Sequence, residues 1–161
     1  MVDKERIWEL MEEVFDPEVP VLTVVDLGVV RTIVKFNDSW KITITPTYSG
    51  CPAMKRIEDD IIEKLGEHAI NNVIVEHVLS PAWTTDWLTE SGKRKLKEYG
   101  IAPPVDEVDK SVLFADPPTV PCPKCDSENT KMISQFGSTA CKAHYQCQAC
   151  LEPFDYFKCL K

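Results

Sequence analysis

The sequence is poor in the features that announce the commonest activities. No apolar run approaches the ~20 residues that a helical membrane span needs. Its six glycines form no phosphate-binding loop, and neither a flavin nor a nicotinamide motif is present. Positive charge is scarce: 18 Lys and Arg stand against 26 Asp and Glu, a formal net charge of −8. That balance argues against a general affinity for nucleic acid, because neutralising phosphates takes a basic surface. The start, Met1-Val2-Asp3-Lys4-Glu5, is charged and carries no apolar signal core. No internal repeat at a 20–50-residue period is visible.

Cysteine is abundant by contrast. There are seven, an odd number, and four of them fall in two C-x-x-C turns. That pattern favours reduced, metal-binding thiols in a cytoplasmic protein over a disulfide framework. Cys122-Pro123-Lys124-Cys125 and Cys147-Gln148-Ala149-Cys150 are separated by 21 residues. A C-x-x-C turn aims both sulfurs at one point, and two such turns on a hairpin make a tetrahedral S₄ cage. Thiolates at roughly 2.3 Å suit Zn²⁺, with iron the main competitor. A closed cage has no open position for chemistry, so Cys122, Cys125, Cys147 and Cys150 are expected to hold a structural zinc. The ion would supply much of the folding energy of a tail of ~40 residues, too short to build a sufficient core alone. Cys141 and Cys159 exceed one tetrahedral site and read as spare packing thiols or a second site. Phe154, Tyr156 and Phe157 come without a basic stripe, so they read as ribbon core and not as a stacking platform for bases.

The 161 residues suffice for one full domain and a small appendage. Residues 121–161 carry five Lys and four acids, a formal +1, which leaves −9 for the remainder. The acidic surface therefore belongs to the first domain. We expect an α/β domain over 1–102, a linker rich in proline and acid over 103–120, and a zinc ribbon over 121–161. Within the linker, Val112-Leu113-Phe114 are apolar enough to dock on one of the two domains.

Ile7, Leu10, Met11 and Val14 fall at helical spacing and predict a helix over roughly 3–15, stopped by Asp16-Pro17. Val29–Phe36 and Trp40–Pro46 are β-branched runs around Asn37-Asp38-Ser39, a hairpin pattern. Met54, Ile57, Ile61 and Leu65 mark a second helix, and Asn72–Leu79 a third strand. The order α-β-β-α-β describes a small two-layer unit ending near residue 80, of class α+β once the ribbon is added. Thr85 or Asp86 can cap a further helix running to about Tyr99, with Gly100 as its stop. This charged helix reads as a solvated surface element or as one packed at a subunit contact, as in a homodimer.

Cys51 precedes Pro52, which sits where a first helical residue would be. At a helix N-terminus the dipole and free amides favour the thiolate, which makes Cys51 a candidate ligand or nucleophile. The alternative is a small buried residue packed at a strand–helix turn. No histidine lies near it in sequence, so a Cys–His hydrolase is unsupported. Asp16, Glu18 and Asp26 beside turns read either as caps or as oxygen ligands brought close to Cys51.

Three separated motifs carry a family resemblance: Asp16-Pro17-Glu18, Val25-Asp26-Leu27-Gly28-Val29-Val30, and Thr47-x-x-x-Cys51-Pro52. Over roughly residues 3–80 they resemble the small Fe–S assembly family, which includes bacterial SufT-type factors and eukaryotic cytosolic Fe–S targeting factors. Pro81-Ala82-Trp83-Thr84-Thr85-Asp86-Trp87, Tyr99-Gly100-Ile101-Ala102-Pro103-Pro104, Phe136-Gly137-Ser138-Thr139-Ala140-Cys141-Lys142 and Glu152-Pro153-Phe154-Asp155-Tyr156-Phe157-Lys158-Cys159 resemble the PaaD (also PaaJ) family of phenylacetate degradation. The resemblance implies a non-catalytic factor that matures metal centres of the multicomponent oxygenase epoxidising phenylacetyl-CoA. It implies the oxygenase subunits and the Fe–S assembly machinery as partners. It also implies a transient cluster or iron at Cys51, with Asp16, Glu18, Asp26 and Thr47 around it. In such ribbons the residue after each knuckle is often Gly, which tolerates a left-handed turn. Here Asp126 and Leu151 stand there. Asp manages that geometry, whereas Leu costs on the order of 1 kcal/mol, so the second knuckle is expected to be looser or shaped differently. That departure weakens a rubredoxin-like redox reading more than the structural-zinc reading.

Overall fold

In the computed structural model, residues 2–48, 50–104, 119–137 and 142–157 are described. The chain divides into two compact units, Met1–Gly92 and Lys93–Lys161.

The first unit opens with α1, Lys4–Met11, whose N-cap Asp3 accepts a hydrogen bond from the Arg6 amide at 2.9 Å. Its apolar stripe, Ile7, Leu10 and Met11, is fully buried. The helix is shorter than its periodicity predicts. Glu13 and Val14 close tight turns onto Leu10 and Met11, and the Val14 carbonyl then accepts from Val24 at 2.9 Å. Phe15 bridges Thr23, so a tertiary partner has claimed the backbone that would have formed the last turn.

Strands β1 (Val30–Phe36) and β2 (Ser39–Ile44) form the expected hairpin, with Phe36 opposite Ser39. Asn37 takes φ +54, the positive value that tight hairpin turns need and that Asn tolerates. Helix α2, Ala53–Glu67, then crosses over to β3, Val73–His77, which runs parallel to β2. The sheet order is β1-β2-β3. Ile33, Ile42 and Ile44 are fully buried on the inner face, as are Ile57, Ile61 and Leu65 on α2. Burial of each such side chain contributes roughly 1.5–3 kcal/mol. This is the two-layer α-β-β-α-β arrangement the pattern called for.

Downstream the sequence reading of one helix over 85–99 needs correction. A single 3₁₀ turn, Thr85–Trp87, is separated from α3, Glu90–Tyr99. Thr84 caps the turn, and the Thr89 hydroxyl accepts from the Gly92 amide at 2.9 Å, so α3 has its own start. The break has a tertiary cause: the Thr89 amide and hydroxyl both donate to Asp26, at 3.0 and 3.1 Å. Nor is α3 merely a solvated helix, because Leu96 is fully buried.

The second unit contains β4 (Ile101–Ala102), β5 (Thr130–Ser134), β6 (Lys142–Cys147) and β7 (Pro153–Phe157), ordered β4-β7-β6-β5. The boundary expected at residue 102 shifts accordingly. Ile101 and Ala102 pair in parallel with Asp155 and Tyr156, so they belong to the ribbon's sheet. Its core gathers Ala102, Val120, Cys122, Ala143, Tyr145, Cys147, Phe154 and Tyr156. Tyr145 stacks on Phe154 at 5.8 Å and meets Tyr156 edge-on at 5.6 Å. Phe154, Tyr156 and Phe157 are core residues, as read from the sequence. Val112-Leu113-Phe114 and most of the 103–120 linker lie outside the described residues. Among the described residues no helix is long and apolar enough to cross a membrane.

Candidate functional site

The two C-x-x-C turns meet. The ligand sulfurs of Cys122, Cys125, Cys147 and Cys150 all lie within 4.8 Å of one another. The Cys122–Cys150 and Cys125–Cys147 separations are 3.8 and 3.5 Å. A regular tetrahedron with metal–sulfur bonds of 2.3 Å has edges of about 3.8 Å, so the spacing fits one tetrahedral ion. Backbone amides point at the sulfurs, from Lys124 to Cys122 and from Ala149 and Cys150 to Cys147, each at 3.4 Å. The Cys150 amide, ahead of that of Ala149, draws the Cys147 thiol down to about 6. Cys125 is held up at about 12: the Ser127 amide favours its thiolate but is outweighed by the thiol of Cys147 and by desolvation. Without a cation the four sulfurs cannot all ionise together, so the donor set calls for one. Cys141 and Cys159 lie outside the described residues.

Both residues that follow the knuckles are left-handed, Asp126 at φ +60 and Leu151 at φ +65. The second knuckle makes the same left-handed turn as the first. Leu151 accepts the strained turn, and Cys147 receives two amide hydrogens.

Cys51 occupies a different setting. Pro52 is already helical, at φ −70 and ψ −17, and offers no side-chain cap, so Cys51 stands where α2 begins. Its carbonyl accepts from the Met54 amide at 3.3 Å. The thiol is buried, with 9% of the residue exposed. The helix N-terminus alone predicts a lowered thiol pKa; the structure reverses that. Burial pushes the Cys51 thiol up, the Ala53 amide pulls it down, and Glu18 raises it further; the Tyr48 hydroxyl lowers it and Asp16 adds to the rise. Desolvation and two carboxylates thus outweigh the amides of the helix start.

Asp16 and Glu18 thus both act on Cys51 through their charge. Asp16 is also a cap: its Oδ1 accepts from the amides of Glu18 and Val19 at 2.7 and 2.9 Å. Asp26 is held elsewhere. Its Oδ2 accepts from the Thr23 amide at 3.2 Å while its own amide donates to the Thr23 hydroxyl at 3.0 Å, a reciprocal cap. Its Oδ1 takes the Thr89 hydroxyl. Thr47 is half-buried in the loop between β2 and α2. Tyr48 is the residue the sequence reading passed over. Its hydroxyl donates to Glu18 Oε1 at 3.3 Å and also meets Cys51. The signal available was its place one residue after Thr47 in the loop leading to Cys51. Among the described residues, the four-cysteine group alone has three or more such ligand atoms converging, so the Cys51 corner is no ready-made chelate.

Comparison with known proteins gives a match for each half of the chain. Residues 4–76 match an iron–sulfur cluster assembly protein family, and residues 106–158 a PaaD zinc beta ribbon domain. A chain of Escherichia coli (strain K12), provisionally named as a subunit of 1,2-phenylacetyl-CoA epoxidase, is 49% identical over 96% of this chain and 92% of its own length. The chain belongs to the PaaD family. The Fe–S protein maturation auxiliary factor YitW of Bacillus subtilis (strain 168) is 34% identical, over 56% of this PaaD-family chain and 89% of YitW. The crystal structure of a domain of unknown function from Bacillus anthracis matches 58% of the chain and 90% of its own, at 28% identity and a TM-score of 0.54. Both of these shorter relatives lack a counterpart for over two-fifths of the PaaD-family chain.

Proposed function

We propose that this chain is a non-catalytic accessory factor that assists assembly of the iron or Fe–S cofactor of a multicomponent phenylacetyl-CoA epoxidase. In this reading Cys51 briefly holds the cargo, with Glu18, Asp16 and Tyr48 around it, and the four-cysteine cage carries a structural zinc. The observation behind it is an Fe–S assembly domain and a metal ribbon in one chain that matches the Escherichia coli relative almost end to end.

The chemistry at Cys51 suits transfer better than storage. A thiol whose proton is retained by burial and by neighbouring carboxylates must give up that proton to ligate. It therefore holds iron less tightly than a ready thiolate would, and gives it up again when reprotonated. Glu18 offers an oxygen donor beside it, and Tyr48 can turn its hydroxyl to the sulfur once the proton has left. The cage, with all four positions filled by sulfur, leaves no site for a reacting molecule.

The test is to produce the epoxidase with the wild-type chain, with Cys51→Ser, and with no added chain, and to measure its iron content and turnover. We expect Cys51→Ser to leave the epoxidase under-loaded. Full loading by that variant would reject the role given to Cys51. The relative's name as a subunit supports a second reading, a stoichiometric structural component. Removing the chain after loading separates the two: an assembly factor is then dispensable, whereas a structural subunit takes the activity with it. Metal content and the ultraviolet–visible spectrum of protein purified without oxygen distinguish a colourless zinc ribbon from an iron-bearing one.

A further inference from the structure

Asp26 is a carboxylate left only 7% exposed, and it has no role in the proposed handling of cargo. Burying a carboxylate is costly, and a neutral Asn or Ser caps a turn as well. What the carboxylate adds is two oxygens that can each accept from a different segment. Oδ2 takes the Thr23 amide, three residues back, and Oδ1 takes the Thr89 hydroxyl, 63 residues on.

Each side of that junction is anchored within the first unit. On the near side, Leu22, Thr23 and Val24 pair with Val14, Phe15 and Asp16. The Asp16 amide donates to the Leu22 carbonyl at 2.8 Å and the Val24 amide to that of Val14 at 2.9 Å, while Thr23 bridges Phe15. This pairing closes the loop that carries Asp16 and Glu18, the two carboxylates whose charge acts on Cys51. On the far side, the segment from Trp83 to Gly92 lies across the Asp26-Leu27-Gly28 turn. The Trp83 indole donates to the Leu27 carbonyl at 2.7 Å, and the Thr89 amide to that of Asp26 at 3.0 Å. A Cβ on Gly28 would stand 2.6 Å from the Trp87 carbonyl oxygen, and one on Gly92 3.1 Å from that of Asp26. Glycine at both places lets the two backbones close together. Thr89 itself lies beyond residues 4–76, the stretch that matches the Fe–S assembly family.

We infer that Thr89 is a positioning residue for the Cys51 site: through Asp26 it fixes the loop that carries Asp16 and Glu18. The inference rests on the proposed role of Cys51 and adds what holds its surroundings in place. The segment after β3 is then part of the site's frame, although it supplies no group to the site.

Thr89 also caps α3 through the Gly92 amide, and the two jobs separate by where their loss is felt. The test measures how fast iodoacetamide modifies Cys51 in the full, metal-loaded chain, read by mass spectrometry of the peptide that contains it. Each Thr89 background is compared with and without Glu18→Gln. With Thr89 intact, Glu18→Gln is expected to speed modification about threefold or more. In the isosteric Thr89→Val that gain should fall below about twofold, because Glu18 no longer has a fixed place from which to act. Thr89→Ser keeps the hydroxyl and should restore the full gain. In Thr89→Val the amides of Glu18 and Val19, which Asp16 caps, should exchange hydrogen about tenfold faster than in wild type. An equal gain from Glu18→Gln in all three backgrounds overturns the positioning role, and leaves the cargo reading to its own test of epoxidase loading. Faster exchange confined to α3 makes Thr89 a helix cap alone and overturns it too. A lost gain in Thr89→Val, beside an epoxidase fully loaded by Cys51→Ser, keeps the positioning role and rejects the cargo.

Discussion

Two cysteine environments in one chain obey opposite rules. In the ribbon, four thiols crowd together, backbone amides point at them, and only a cation can discharge the crowding. At the start of α2 a single thiol is buried beside two carboxylates, and its proton is retained. The first is a site that must be full to be stable. The second gains stability from staying neutral. Cysteine content alone would have treated all five as equivalent; what separates them is which groups act on each sulfur.

The largest effect expected follows from breaking the cage. Structural zinc contributes an apparent ~10–16 kcal/mol in small metal-dependent domains at neutral pH. Cys147→Ser, or a strong chelator, should therefore unfold the ribbon, read as loss of bound metal and of protection from proteolysis beyond residue 119. The helical circular-dichroism signal of α1 and α2 should survive.

The contrast sharpens with pH. Metal retention by the cage should fail as pH drops, because protons compete for the sulfurs. The Cys51 corner should fail in the opposite direction. Its folded-state pKa is raised, so its contribution is complete below the unfolded value, near 9.0 for a free thiol, and is lost as pH climbs through the folded one. Melting curves from neutral pH to about pH 10 should show a steeper alkaline loss for wild type than for Cys51→Ala.

The two carboxylates beside Cys51 should also prove unlike. Asp16→Ala removes a cap on two amides and should cost about 1–2 kcal/mol by denaturant titration. Glu18→Gln should leave stability nearly unchanged and speed alkylation of Cys51, because one of the charges opposing its ionisation is gone. The smallest change concerns Thr45, a fully buried residue whose hydroxyl has no hydrogen-bond partner among the described residues. Thr45→Val should be neutral or stabilise by up to about 1 kcal/mol, since the orphaned hydroxyl is removed at nearly constant shape.

The cage was legible in the sequence because each knuckle is local: four residues specify the turn, and the next residue must be left-handed, as Asp126 and Leu151 are. The hairpin was legible for the same reason. The Cys51 corner was legible only in its members. Its electrostatics depend on Asp16 and Glu18, more than thirty residues away, and on a degree of burial that no local pattern states. The break before α3 escaped because Thr89 answers to Asp26, 63 residues earlier. Strand β4 escaped because two residues carry no periodicity, and its partner lies over fifty residues downstream.

That two-residue strand changes what the segment after it is for. Ala102 and Val120 belong to the same buried core, so the described residues on either side of that stretch are anchored in one body. The covalent join between the units runs instead through α3, at Gly92 and Lys93. A protease that nicks the chain between 103 and 119 would leave two polypeptides held by one core, and the ribbon would still be attached. Anyone wishing to isolate the ribbon must begin the piece before Ile101, or it will lack an edge of its own sheet.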